Sequence, residues 1–300
     1  MSQPLDQDLP PGRHQLLKEH LMTEIRRTEK APGPRRAWLR PALAAGAVAT
    51  VAALTLVVLP PGDTRGVRQP GTAVAPEGDV LADARDDQYT YVDWMVSWDS
   101  VEIAEDGTST TSQRPLHRME EWVAVDGTRK GLIDEQGGEG RRVTQPDRVN
   151  APYSVSYRFL SSLPTDADAM YVWLRKTAAA VQKKSNVDRD TLMWLVAGDM
   201  FDSGVLPPKQ SAALYRAVLR VPGVVALPRS VDAVGRVGVA LGRMRSSNLR
   251  DEWVFDRKSS QYLGERSVYL KDDGAHKKGT LAGRTAILKV AVVDKRGERP

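Results

Sequence analysis

Residues 41–59, PALAAGAVATVAALTLVVL, run for nineteen positions without a charged or strongly polar side chain. At about 1.5 Å rise per residue, a helix of this length matches the ~30 Å hydrocarbon core of a bilayer and satisfies its own backbone hydrogen bonds while crossing it. A core helix of a water-soluble domain is rarely apolar on every face over such a length, and the Pro-, Gly- and charge-rich flanks offer nothing to bury it against. A cleaved signal peptide has a short leading segment and an apolar stretch of roughly 7–15 residues, whereas here forty residues precede the run. Ala73-Val74-Ala75 imitates a cleavage site, but it lies fourteen residues beyond the apolar stretch and is followed by Pro76. The expectation is one uncleaved transmembrane helix over 38–60. Trp38 would anchor it at the interface, and Pro60-Pro61-Gly62 would end it.

Charge orients that helix. Arg35, Arg36 and Arg40 stand directly before it, with Arg26, Arg27 and Lys30 upstream, whereas only Arg65 and Arg68 follow closely. Positive flanks resist translocation, so the N-terminus is expected in the cytoplasm and the C-terminal domain outside the membrane. The same distribution argues against nucleic acid as a partner. Of the net charge of +5, residues 1–40 hold eight basic against five acidic side chains, which leaves little excess for the rest of the chain. Within the tail, 1–37, Leu17, Leu21 and Ile25 repeat at helical spacing with Met22 alongside. Such a short amphipathic helix is marginal alone, so either its stripe meets a cytoplasmic regulatory protein or the lipid bilayer, or the tail is disordered and only partly helical.

Residues 61–78 are Pro- and Gly-rich without periodicity, as in a linker. From 79 the pattern changes. Over 88–98 polar and apolar residues alternate, placing Val92, Trp94, Val96 and Trp98 on one face of a strand. Residues 122–133 read as a hairpin turning at Asp126-Gly127. Helical patterns follow: Thr165 and Asp168 form a capping-box-like pair before Met170, Trp173, Leu174 and Val181. Asp188 or Asp190 can cap the helix of Leu192, Leu195 and Val196, and Pro207-Pro208 open the one carrying Leu214, Tyr215 and Val218. Strand patterns return at 231–240, 252–256, 261–270 and 285–295. Strands, then helices, then strands predict an α+β domain over 79–300, a curved antiparallel sheet with helices packed on one face. Such a sheet could enclose an apolar groove, with Val92, Trp94, Val96 and Trp98 lining it.

Residue types limit the chemistry. There are no cysteines, so neither disulfides nor thiolate zinc sites are available. In the tail, His14 and His20 are six residues apart, on different helical faces. Beyond the apolar run only His117 and His276 remain, and no Gly-x-Ser-x-Gly elbow accompanies them. Asp166/Asp168 and Asp188/Asp190 fall where helix N-termini need acidic caps. Asp272-Asp273-Gly274 reads as a turn without the ligand ladder of a calcium loop. Gly235, Gly238 and Gly242 miss the dinucleotide-binding spacing and suit a hairpin. The six tryptophans beyond the span (Trp94, Trp98, Trp122, Trp173, Trp194 and Trp253) suit core packing. No catalytic, metal or cofactor residue is assigned, no cofactor is implied, and the chain is not expected to be an enzyme.

Val221-Pro222-Gly223-Val224, the stretch Val231-Asp232-Ala233-Val234-Gly235-Arg236-Val237-Gly238-Val239-Ala240, Phe255-Asp256 and Leu263-Gly264-Glu265 resemble an actinobacterial family of single-pass membrane proteins. Leu9-Pro10-Pro11-Gly12-Arg13-His14 resembles that family's N-terminus. Members are often encoded beside extracytoplasmic-function sigma factors, and their outer domain is similar to the half-barrels of lipoprotein carriers and of a periplasmic envelope-stress sensor. The resemblance implies an envelope signalling role in which the outer domain meets an envelope ligand or protein. The alternative it leaves open is a membrane-anchored carrier of an apolar ligand. It carries over no functional residue.

The orientation has a direct test. A reporter active only outside the cytoplasm is expected to work when fused after residue 300 and to fail when fused near residue 30. The reverse pattern would overturn the topology.

Overall fold

A computed structural model of the chain describes residues 79–103, 109–146, 152–183, 185–272 and 276–300. The tail, the apolar run at 41–59 and the linker lie outside the described residues. Among those described, no helix is long and apolar enough to cross a membrane.

Among the described residues fourteen elements follow in order. The first strands are β1 (Tyr89–Ile103), β2 (Ser109–Gln113), β3 (His117–Ala124), β4 (Gly131–Glu135) and β5 (Gly140–Thr144). Four helices come next: α1 (Tyr157–Ser161), α2 (Ala167–Gln182), α3 (Arg189–Asp202) and α4 (Pro208–Val218). The chain closes with β6 (Val224–Val231), β7 (Val237–Met244), β8 (Leu249–Phe255), β9 (Tyr262–Tyr269) and β10 (Leu281–Val293). The strands make one curved antiparallel sheet in the order β5-β4-β3-β1-β10-β9-β8-β7-β6, with β2 pairing the far end of β1. It consists of two meanders joined where the first strand meets the last. That joint runs from Tyr89 opposite Val293 to Trp98 opposite Gly283, with a bulge at Asp93/Trp94.

This topology dictates where the helices go. β5 and β6 are the two outer edges of the sheet, so the chain between them has to travel back across a face. The α+β expectation therefore holds, with a physical reason for one-sided packing: a single segment makes the crossing and carries all four helices.

Local sequence explains the ends of those helices. Asp166, not the expected Thr165/Asp168 pair, caps α2 by accepting from the amides of Asp168 and Ala169 at 3.0 and 2.9 Å. Asp188 caps α3 through Thr191, accepting from its amide at 2.9 Å and from its hydroxyl at 2.6 Å. Pro207 occupies the cap position of α4 and Pro208 its first turn, where no amide is missed.

The expected strand over 231–240 is instead the junction of two. Asp232 accepts from the amides of Val234 and Arg236 at 3.0 and 2.9 Å, and Gly235 has φ 87°, so the chain reverses there between β6 and β7. A carboxylate that binds nearby backbone offers an alternative to the ladder, which apolar alternation cannot reveal.

The main core lies between the sheet and the helices. Trp194 of α3 stacks on Trp253 of β8 with ring centres 3.5 Å apart and planes within 6°. One turn on, Gly198 admits the same indole, since a Cβ there would stand 2.9 Å from Trp253 Cζ2. Phe201 completes the face, 5.3 Å from Trp253, 5.0 Å from Phe255 and 5.6 Å from Tyr262. On the opposite face of the sheet, Tyr89, Tyr91, Trp122, Ala124, Leu132 and Val293 form a second, smaller cluster. The C-terminal residues lie beside it: the Trp122 indole donates to the Glu298 carbonyl, and a Cβ on Gly297 would stand 3.3 Å from Leu132.

Two glycines of the family-like stretches separate torsional from steric constraint. Gly235→Ala meets nothing within 4 Å but retains φ 87°, so it is expected to cost about 1 kcal/mol. A Cβ on Gly264, at φ 152°, would lie 2.2 Å from the Thr285 carbonyl oxygen of the neighbouring strand. Gly264→Ala is expected to cost about 3 kcal/mol, because backbone has to move. Equilibrium urea unfolding of both variants checks the ranking; equal costs would show that β9 and β10 are less closely apposed.

Candidate functional site

Of the two readings of the alternating face of β1, groove lining or core, the interior one describes most of it. Val92, Trp94 and Val96 are 2%, 3% and 0% exposed and belong to the core beneath the helices, while Trp98 is half-buried and packs against it. Alternation on β1 is as expected, but helical side chains fill the concavity over these three residues. Of the other tryptophans, Trp122, Trp194 and Trp253 are buried and Trp173 is half-buried, tilted against Phe159 at 6.3 Å.

The remaining singled-out residues take structural positions. Asp166 and Asp188 are caps, as above. Asp168 is free to pair with Arg220 at 2.6 Å. Asp272 accepts from the Lys278 amide at 2.8 Å, while residues 273–275 lie outside the described residues. Gly238 and Gly242 lie in β7, Gly238 opposite Ser230 and Gly242 opposite Val225. The two histidines have partners. His117 sets Nδ1 2.7 Å from the Pro115 carbonyl and Nε2 2.9 Å from Glu135, and His276 stacks on Tyr269 at 3.9 Å. Among the described residues no group of three or more His, Cys, Asp and Glu side chains could hold a metal ion.

Composition does not reveal the set of carboxylates buried among arginines. On the sheet face away from the helices, Asp93 takes a two-point contact from Arg118, both bonds 2.7 Å. Glu120 receives Tyr91 Oη at 2.7 Å and both Arg299 donors at 2.8 and 2.5 Å. Glu252, with a side chain 0% exposed, accepts from Ser230 at 2.6 Å, Arg266 at 2.8 Å and Arg250 at 2.6 Å. Arg299's hydrogen bonds hold the Glu120 carboxyl below the usual range against the upward push of burial. For Glu252 burial is the largest single influence and pushes upward, yet the bonds from Arg266, Ser230 and Arg250 together outweigh it. Glu135 behaves likewise: burial raises it, and His117 with Arg142 bring it down. These groups are ionised and saturated, which suits fixed structure and offers no free base for catalysis.

A cavity adjoins the main core. About 130 Å³ in volume, it lies where α3 gives way to α4, above β10 and beside the turn between β8 and β9. Phe201, Val205, Leu206, Tyr262, Ile287 and Val290 supply most of its apolar wall, and Val80, 46% exposed, marks where it reaches the surface. Tyr262 donates to Asp202, and its phenol is raised well above its ordinary value by burial and then by that carboxylate, so it stays neutral. Five further polar residues line the same space: Asp79, Ser211 of α4, and Ser259, Ser260 and Gln261 of the β8–β9 turn.

No family model matches the chain, and no curated protein matches it. Among solved structures it is similar to MucB in complex with MucA(peri), at 13% identity over 71% of this chain and 53% of that one, with a TM-score of 0.21. It is also similar to the MucA/MucB complex of Pseudomonas aeruginosa, at 16% identity over 73% and 56%, again with a TM-score of 0.21. The chain thus spans little more than half the length of the solved chains it matches. Both likenesses are distant, and the chemistry of the site has to be read from this chain's own residues.

The paired carboxylates give a pH dependence whose sign is fixed. Glu120, Glu135 and Glu252 bind protons less readily folded than unfolded, so their contribution is complete above the unfolded value of about 4.3 and is lost as pH falls through the depressed folded values. Melting temperature is expected to be flat from about pH 7 to 5 and to drop below about 4.3. Glu252→Gln should cost about 2 kcal/mol at neutral pH and flatten the acid limb. An acid limb unchanged in that variant would show that Glu252 does not titrate on unfolding.

Proposed function

We propose that the chain is a membrane-anchored regulatory partner in envelope signalling, whose outer domain recognises another protein and whose tail, 1–37, meets a cytoplasmic regulator linked to a sigma factor. The span at 41–59 supplies the anchor and sets the domain outside the membrane. The proposal includes no enzymatic activity. The observation that carries the choice over an apolar-ligand carrier is the filled concave face. To admit an acyl chain, the sheet would have to part from Trp194, Phe201 and their partners on β8 and β9, which are the centre of the main core.

Surfaces, not the interior, then do the recognising. The face away from the helices presents arginines already oriented by buried carboxylates, among them Arg118, Arg250 and Arg266. Arginine is enriched in protein interfaces, and a guanidinium held in place loses less freedom on binding. At the edge of the same sheet Val225 and Met244 are exposed apolar side chains on β6 and β7. A protein surface of mixed charge with apolar contacts is the complementary partner.

The test uses both halves of the reading. Residues 1–37 fused to an inert carrier are expected to enrich a transcription factor, and deleting them from the full chain should abolish an envelope-stress transcriptional response. The full chain, purified in nanodiscs, should show no saturable uptake of a fluorescent fatty acid. Failure of the tail to enrich any transcription factor, together with stoichiometric fatty-acid binding, would replace this reading with the carrier.

A further inference from the structure

The cavity between α3, α4 and the β8–β9 turn brings together two of the five buried side-chain atoms that have no hydrogen-bond partner among the described residues, the other three being Trp94 Nε1, Arg243 Nε and Arg284 Nε. Ser211 is 5% exposed and its hydroxyl is buried without a hydrogen-bond partner. Gln261 Oε1 is also buried and unpartnered, and both residues line the same space. A buried hydroxyl or carbonyl left unmet costs on the order of 1–3 kcal/mol. A helical serine often relieves this by bonding a carbonyl one turn back, yet Pro207 O accepts from the Ser211 amide at 2.8 Å and the hydroxyl has no partner. The buried carboxylates Glu252 and Glu120, by contrast, are given three and two partner residues.

The volume sets the size of what could meet these atoms. A protein cavity of about 150 Å³ holds benzene, so one of about 130 Å³ encloses a single ring or a short branched chain and only part of a long acyl chain. The wall, with Phe201, Leu206, Tyr262, Ile287 and Val290, sets the character as mainly apolar. Ser211 can donate or accept, and Gln261 Oε1 only accepts. The polar group that suits either is a hydroxyl. Tyr262, already committed to Asp202 and neutral, contributes its ring face and leaves the unmet groups to the occupant.

We infer that this cavity is a binding site for a small, mainly apolar molecule bearing one hydroxyl, of the size and chemistry of a phenol. The inference stands on the cavity alone and does not depend on the protein-recognition reading. Occupancy would tie the end of α3 and the start of α4 to β10, because these segments share the wall. The same site then reports the presence of a small hydroxylated ligand as added stability of the outer domain.

The experiment uses the full chain in nanodiscs, with 4-fluorophenol as probe and fluorobenzene as its counterpart without the hydroxyl, both followed by fluorine NMR. Saturable binding of 4-fluorophenol is expected, with fluorobenzene about ten-fold weaker. Ser211→Ala and Gln261→Leu should each weaken 4-fluorophenol and narrow the gap between the probes. Ser211→Leu, which places a side chain in the cavity, should abolish binding of both probes while leaving the melting temperature unchanged or raised. Should Ser211→Leu fail to fold, the Ser211→Ala and Gln261→Leu pair still decides. Probe uptake that never saturates, or is the same in wild type and Ser211→Leu, would mean partition into lipid with water alone in the cavity, and would overturn the inference. Equal affinity for the two probes would overturn it as well, because the unmet polar atoms would then select nothing.

Discussion

The pairing of β1 with β10 is the contact on which the domain's architecture depends. It brings Tyr89 opposite Val293, two hundred residues apart in the chain, and joins two meanders that would otherwise be separate sheets with exposed edges. Once those strands meet, the outer edges are β5 and β6, and the helices have a single route between them, across one face. The cost of closing so long a loop grows only slowly with its length, so the pairing is thermodynamically accessible, but it forms late relative to local hairpins. The strands that reach it both feed the main core, Val92, Trp94 and Val96 on one side and Ile287, Val290 and Val292 on the other.

From that constraint follows the division of labour between the two faces. The helix face is an aromatic core with stacked indoles and a glycine contact, in which Val92, Trp94 and Val96 of β1 are buried. The other face is too broad for its small apolar cluster around Trp122 and Tyr91 to cover, and carboxylates clamped by arginines occupy much of the remainder. A buried charge pair adds little net stability against an apolar replacement, but removing one partner is costly, so such pairs fix geometry more than they add free energy. An otherwise flat sheet face thereby gains a set of oriented cations.

How much of this is readable in the residues depends on the kind of signal each leaves. Alternation at Val92, Trp94, Val96 and Trp98 marks a strand with one buried face, and Asp188 and Pro207-Pro208 mark helix starts, because each is a local physical preference with few substitutes. What covers that face leaves no local trace: alternation reports burial, and a ligand or a helix would produce the same pattern. The strand expected over 231–240 fails because Asp232 turns the chain through hydrogen bonds within a stretch that alternates well. Edge strands are faint for the opposite reason. β5 is GRRVT and β6 contains Pro228, and charge, proline and short length keep free edges from pairing with other chains while erasing the strand pattern.

The cavity was legible only in part, and its trace is instructive. In α4 the buried stripe Ala213, Leu214, Ala217 and Val218 also includes Ser211, a hydroxyl where the pattern calls for another apolar group. Such a residue has two ordinary explanations, a bond to the preceding turn or a partner across the interface, and sequence cannot choose between them. The structure supplies neither. Gln261, whose unmet oxygen lines the same space, lies in a turn where a polar residue raises no question at all. The informative observation is therefore the coincidence of two unmatched atoms in one cavity within a fold that gives Glu252 a partner on each of three sides. A domain able to satisfy a fully buried carboxylate could also have satisfied a serine hydroxyl, by a leucine in its place or an acceptor beside it. Trp94 Nε1, Arg243 Nε and Arg284 Nε are buried and unmet as well, so it is the meeting of two such atoms in one cavity, and not a lone unmet atom, that singles out this position.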